Sequence, residues 1–183
     1  MGFTFDDEAA AKGTASPLAE MERLIAKDPR NAERIFPYIG GEEVNNDPRH
    51  VHRRNVIDFG EMSEAEARAG WPDLMEIVEH LVKPQRDQDE RPARRERWWR
   101  FGDRQPGLYR TIAGLPRALA INCGACPHMA FAFVQPKMVY ANTLDVLAFV
   151  NFSELAAVQA RVHEVWARFF TSSMKDDCRT RSW

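Results

Sequence analysis

The chain has 183 residues, 44% apolar and 28% charged, with a formal net charge of −2. This composition builds a sizeable core and excludes disorder of the whole chain, while the slight acidic balance argues against a free-standing nucleic-acid binder; any such role must rest on a local patch. No apolar run approaches the ~20 residues that span a bilayer, the N-terminus lacks a signal-peptide pattern, and an odd number of cysteines fits reduced thiols, so the expected compartment is the cytoplasm.

Residues 1–16 are Ala, Gly, Ser and acidic residues for the most part and predict a mobile arm or linker. Pro17 opens a helix whose Leu18, Met21, Leu24 and Ile25 share one face, and Asp28-Pro29 stops it. Residues 35–46, IFPYIGGEEVNN, read as a short extended piece running into a loop. Residues 54–59, RNVIDF, have a β-branched strand centre, and Ser63 begins a short helix that ends at Gly70. Asp73 is placed to cap the next helix, where Leu74, Ile77, Val78, Leu81 and Val82 form an apolar stripe that Pro84 ends. Residues 85–97 are polar and charged, an exposed extension or a loop.

A short helix over 105–113 sends Leu108 and Ile112 inward. Three apolar segments follow, 117–121, 129–134 and 138–150, the last divided near Asn142; they predict an antiparallel meander. Phe152, Leu155, Val158, Val162, Val165, Trp166 and Phe169 then fall on one face of a single long helix started near Asn151 and Ser153. The last residues, SSMKDDCRTRSW, carry no packing pattern. The expected fold class is α+β, one domain over 17–175, with a largely antiparallel or mixed sheet packed against several helices, between the arm 1–16 and a tail 176–183.

Arg94 to Arg117 holds seven arginines, two adjacent tryptophans and a tyrosine. Arginine forks onto phosphates and guanine edges and stacks on bases, so this composition suits a nucleic-acid contact; it equally suits a solvated basic face beside core tryptophans. Trp98 and Trp99 read as split, one in the core and one near the surface. Cys123-Gly-Ala-Cys126-Pro-His128, with Cys178, offers zinc ligands, but a second CxxC knuckle is missing and Cys178 lies in the patternless tail. The loop therefore reads as a strand connection with reduced cysteines and no metal. His50 and His52 read as a surface pair and His163 as a helix-edge residue; Glu42 with Glu43 and Glu76 with Glu79 are ordinary surface carboxylates. Neither a Walker A loop, nor GxSxG, nor GxGxxG occurs, which favours binding over chemistry.

Several motifs recur in one order: FPYIGGEEVNN with its FPYxxGE(E/D)xN pattern, VKPQR, the WWRFG centre and the HEVWAR helix. Together they resemble the target-recognition domain of MmeI-like (type IIL or IIG) restriction–modification proteins over about residues 27–175. Members of that family join a nuclease, an adenine-N6 methyltransferase using S-adenosylmethionine, and this specificity domain. The resemblance implies double-stranded DNA and a methyltransferase module as partners. S-adenosylmethionine and magnesium would belong to the parent enzyme, with no cofactor and no catalytic residue in this chain, whose FxGxG-type and NPPY-type motifs are absent. The family's closing Phe-Pro segment is also absent, so a truncated or frame-shifted end is expected. CGACPH stands where relatives carry a more polar, basic loop, which leaves the target sequence open.

Extruding a target adenine requires a separate module to read the neighbouring base pairs. Arg94, Arg95, Arg97 and Arg100 are the candidate DNA-backbone contacts; Asn122, His128, Lys137, Tyr140 and Asn142 are the candidate base readers. The competing readings are a stand-alone interaction module and a small zinc or redox protein built on Cys123 and Cys126.

Overall fold

The computed structural model describes residues 2–102, 105–123 and 129–170 in full, and the backbone of 172–174 and 177–179. The chain folds as two compact units, each made of two stretches: 1–37 with 53–104, and 38–52 with 105–183.

Strand β1, Thr4–Phe5, precedes a one-turn helix α1, Asp7–Ala10, whose first N–H groups are accepted by the Asp6 carboxylate. The expected mobile arm is corrected here: Phe3 and Phe5 are buried, and backbone bonds join Ser16 to Thr4 and Asp6. Two aromatic rings outweigh the polar composition around them. Helix α2, Leu18–Lys27, forms as expected and leads into a 3₁₀ segment, Pro29–Arg34. There the buried Asn31 amide donates to the Leu24 carbonyl at 3.0 Å and satisfies the end of α2.

Strand β2, Ile35–Ile39, carries the chain from the first unit to the second and runs directly into helix α3, Gly41–Asn46, where a loop was expected. The buried Glu43 carboxylate accepts the Gly40 N–H at 2.9 Å, so a surface-looking acid is a helix start.

Back in the first unit, strand β3, Arg54–Ile57, pairs antiparallel with β1. Helix α4, Glu64–Gly70, opens on a reciprocal Ser63–Glu66 capping box. Helix α5, Pro72–Leu81, buries Leu74, Met75 and Val78. Its first residue is Pro72, so Asp73 is not its cap; it lies in the first turn and pairs with Lys27 at 2.6 Å. Short helices α6, Lys83–Arg86, and α7, Pro92–Glu96, occupy most of the charged stretch.

In the second unit, helix α8, Pro106–Ile112, buries Ile112. The strands are β4, Ala118–Asn122; β5, Phe131–Val134; β6, Val139–Tyr140; and β7, Leu144–Leu147. Their division near Asn142 is as expected. A three-stranded antiparallel sheet has the order β5-β4-β7, but β6 leaves it and pairs parallel with β2, Tyr38 opposite Val139, so the expected meander is corrected. Ile39, Val44, Ile112, Ala120, Val134 and Leu144 close the core beneath. The single long helix is also corrected. Ala160 takes an extended ψ of 141° and divides it into α9, Phe152–Gln159, and α10, Arg161–Phe170. Strands β8, Ser172–Met174, and β9, Asp177–Arg179, pair antiparallel. The fold is α+β with mixed and antiparallel sheets against helices, as the element pattern predicts.

Candidate nucleic-acid interface

In the first unit, residues 83–100 hold seven Lys and Arg against four acids, a local positive excess in a chain of net negative charge. Trp98 and Trp99 anchor this segment, and both are buried, which corrects the expected split. Lys83 lies 4.9 Å over the Trp98 ring, and the Trp99 indole donates to the Met62 carbonyl at 3.0 Å. The Phe101 ring meets Phe3 edge-on. The tryptophans are therefore scaffold, and the arginines between them occupy different surroundings.

Asp89 gathers the first of them. Its carboxylate accepts the Arg91 N–H and lies 3.5 Å from the Arg94 guanidinium, while its carbonyl accepts from Arg95 at 2.7 Å. The Arg91 hydrogen bond, ahead of the Arg94 charge, holds the Asp89 carboxyl below its ordinary value. Arg100 donates from its Nη2 to the Glu61 carbonyl at 2.6 Å and to the Met62 carbonyl at 3.3 Å, which ties this end of the guanidinium to the chain's own backbone. Arg95 and Arg97 are exposed, whereas Arg94 and Arg100 are half-buried. Exposed guanidinium groups beside a rigid indole anchor suit phosphate oxygens, because little side-chain order remains to be imposed on the backbone that carries them.

In the second unit, Asn122 and Asn142 come together at one end of the three-stranded sheet. Asn122 pairs with Leu144, the Cys123 N–H donates to the Thr143 carbonyl at 2.8 Å, and the Cys123 thiol donates to the Asn142 carbonyl at 3.7 Å. Beside them the Gly41 N–H donates to the Thr143 hydroxyl at 3.1 Å. A Cβ on Gly41 would stand 2.6 Å from the Asn122 amide, so this glycine seats the Asn122 side chain. In the sequence Gly40-Gly41 reads only as a turn; that one of them faces Asn122 is decided by the fold.

Lys137 is exposed but sits apart from this pair. It lies in the turn after β5, whose Val134 faces Ala118, so the turn leaves the sheet at the opposite end of β4 from Asn122. Tyr140 is half-buried: its ring stacks on Tyr109 and its hydroxyl donates to the Gln135 carbonyl. Burial, then the neighbouring Tyr109, pushes its phenol well above the ordinary value. Tyr140 thus has a packing role that its strand position alone did not reveal.

His128 and Cys126 lie outside the described residues, as does the Cys178 side chain. Cys123 is half-buried, and burial followed by the Asp145 charge raises its thiol pKa. Among the described residues no group of three or more His, Cys, Asp or Glu side chains is arranged to hold a metal. His50, expected as a plain surface histidine, has a φ of 50° in the loop after α3, next to the exposed Val51. Left-handed backbone at a histidine is uncommon, and no sequence signal marks it. His163 is more than a helix-edge residue: its Nδ1 lies 2.6 Å from the Val158 carbonyl and its ring packs against Phe131. No helix among the described residues is long and apolar enough to cross a membrane.

The geometry is that of an α+β chain with exposed arginines in one unit and two asparagines, Asn122 and Asn142, at one sheet end in the other. The chain is similar in fold to the solved structure of the type IIL restriction–modification enzyme MmeI in complex with DNA, with a TM-score of 0.67 and 16% identity. The similarity covers 98% of this chain and 22% of that enzyme's length. No protein-family profile matches the chain, and no curated protein matches it.

Proposed function

We propose that this chain is a DNA-specificity module that reads the target site for an adenine-N6 methyltransferase and restriction endonuclease. The observation that carries the reading is the fold shared along nearly the whole chain with about a fifth of an enzyme solved on DNA. The ordered sequence motifs support the same assignment independently. In this reading the chain contributes neither catalytic residues nor a cofactor site; S-adenosylmethionine and magnesium serve the methyltransferase and nuclease modules that it directs.

Exposed Arg95 and Arg97 contact phosphates and set register, since phosphate contacts carry no base information. Arg94 and Arg100 stiffen that segment through Asp89 and the Glu61–Met62 backbone. Asn122 and Asn142 are the leading base readers, because a side-chain amide can both donate to and accept from an adenine edge. Lys137 reads or grips DNA separately from them, and His128, five residues after Cys123 in the sequence, is a further candidate reader.

Fluorescence anisotropy of the chain with random duplex DNA tests the proposal. Binding is expected at the weak end of the ~10⁻⁴ to 10⁻⁶ M range, falling steeply between about 50 and 200 mM salt as released counterions lose their advantage. Affinity unchanged across that range, or no binding at low salt, overturns it.

A further inference from the structure

Helix α10 carries its apolar stripe on the side away from its own core. Ala167 is the residue it buries, against Ile121 and Met129, and His163 packs on Phe131. Val162, Val165, Trp166 and Phe169 project from the other side, where Val162 is 82%, Trp166 61% and Phe169 81% exposed. With Arg161 and Phe170 they line one open groove. A typical aromatic side chain carries ~150–250 Å², so three mostly uncovered rings and two valines leave on the order of 500–600 Å² of apolar surface on two helical turns. A patch of this size is at the upper end of what a monomer ordinarily exposes, a range in which the largest patch is often functional.

We infer that this face binds a second copy of the chain, with the two α10 helices antiparallel about a twofold axis at their midpoint. The residue order supplies the argument. Antiparallel pairing about the midpoint of Arg161–Phe170 sets Val162 opposite the second copy's Phe169 and Val165 opposite its Trp166. Each small side chain then faces a large one, twice over by symmetry, as an isologous interface requires. Arg161 comes opposite the second copy's Phe170, a cation over a ring. Parallel pairing would instead set valine on valine and ring on ring, and would align the helix dipoles. The area per copy falls below the ~800 Å² of a standard interface and in the range of weak, transient encounters, so the association is reversible.

The experiment is sedimentation velocity of the full chain from about 1 to 200 µM, where a dimer with a dissociation constant on the order of tens of micromolar titrates. The wild type is expected to pass from monomer to dimer. Val162→Glu, at an open position, is expected to keep the same circular dichroism and weaken association at least ~10-fold by burying unpaired charge. Val51→Glu, at another exposed valine, is expected to associate as the wild type does. Adding Phe169→Lys to Val162→Glu places opposite charges across the antiparallel seam and restores salt-sensitive pairing. A wild type that stays monomeric throughout, or a Val162→Glu variant that associates unchanged, overturns the inference; failure of the charge pair to restore association overturns the antiparallel register.

Discussion

Tyr140 shows how a side chain suited to reading bases is claimed by its own fold. Its hydroxyl donates to the Gln135 carbonyl and its ring stacks on Tyr109, so Tyr140→Phe is expected to cost about 1 kcal/mol of stability, measured by urea unfolding. The raised phenol pKa also fixes the sign of an alkaline effect. The unfolded chain ionises first, near the ordinary value of about 10. This contribution is therefore complete below that pH and is lost as pH rises above it. The Tyr140→Phe variant should show a shallower alkaline loss than the wild type in unfolding midpoints between pH 8 and 11. Gly41 presents the complementary case. Alanine there favours the α3 helix by up to ~1 kcal/mol but displaces the Asn122 amide, the flexible end of a side chain, so the melting temperature should change little. If Asn122 reads a base, Gly41→Ala in a methyltransferase fusion should shift base preference at the position that Asn122→Ala shifts. An unchanged preference in Gly41→Ala beside a changed one in Asn122→Ala would show that Gly41 does not seat the reader.

Between elements, Arg117 is the clearest joint. It enters β4, stacks its guanidinium 3.9 Å over Phe133 on β5 and 4.3 Å over Phe152 on α9, and donates to the Val150 carbonyl at 2.7 Å. Leucine at 117 keeps much of the apolar stem but removes the charge and donor, so Arg117→Leu should lower stability by about 1–3 kcal/mol in a denaturant titration. Helix starts and the Glu79 ion pairs add a pH dependence of opposite sense to that of Tyr140. The Asn151 and Val150 N–H groups lower the Glu154 carboxyl, the Ser63 hydroxyl and N–H lower Glu66, and Arg68 with Lys83 lowers Glu79. These groups hold protons less readily folded than unfolded. Their contribution is present above the ordinary carboxylate value and is lost as pH falls through the lowered ones. Urea midpoints should therefore drop from pH 5 towards pH 2, and Glu154→Gln should flatten part of that drop. The sequence motifs belong to this scale as well: Gly41 and Glu43, Lys83, and the Trp98-Trp99 pair all hold elements together. A recognisable motif here is mainly scaffold.

For the whole molecule, DNA binding under the proposed function divides into two kinds of interaction with different signatures. In a fusion whose methylation reports binding, Arg95→Ala or Arg97→Ala should weaken modification of every site alike and reduce the salt slope by about one unit for each phosphate no longer neutralised. Asn142→Ala or Asn122→Ala should change which base is accepted at one position, since removing a bidentate pair of hydrogen bonds costs about 1–3 kcal/mol of discrimination. Sequencing of methylated sites distinguishes the two results. Uniform loss from the asparagine variants, with the modified sequence never shifting, would make the sheet end scaffold. Arg100→Ala should behave differently again and lower stability first, because its Nη2 donates to the Glu61 and Met62 carbonyls.

The amino-acid sequence by itself determined which stretches form helices and strands wherever local signals agree. Pro17 and Asp28-Pro29 bound α2, Ser63 with Glu66 opens α4, the stripe from Leu74 to Val82 makes α5, and a break near Asn142 separates β6 from β7. Periodicity and capping act within a few residues and can be read there. It also placed a positive segment in a negative chain, since charge needs no fold to be counted. Tertiary structure decided the rest. Whether Phe3 and Phe5 are an arm or a core, whether both tryptophans are buried, and which arginines remain exposed depend on partners tens of residues away. The apolar pattern of 152–169 was visible, but the turn at Ala160 directs its second half outward. Amphipathicity specifies that a helix has an apolar face; only packing decides what that face meets.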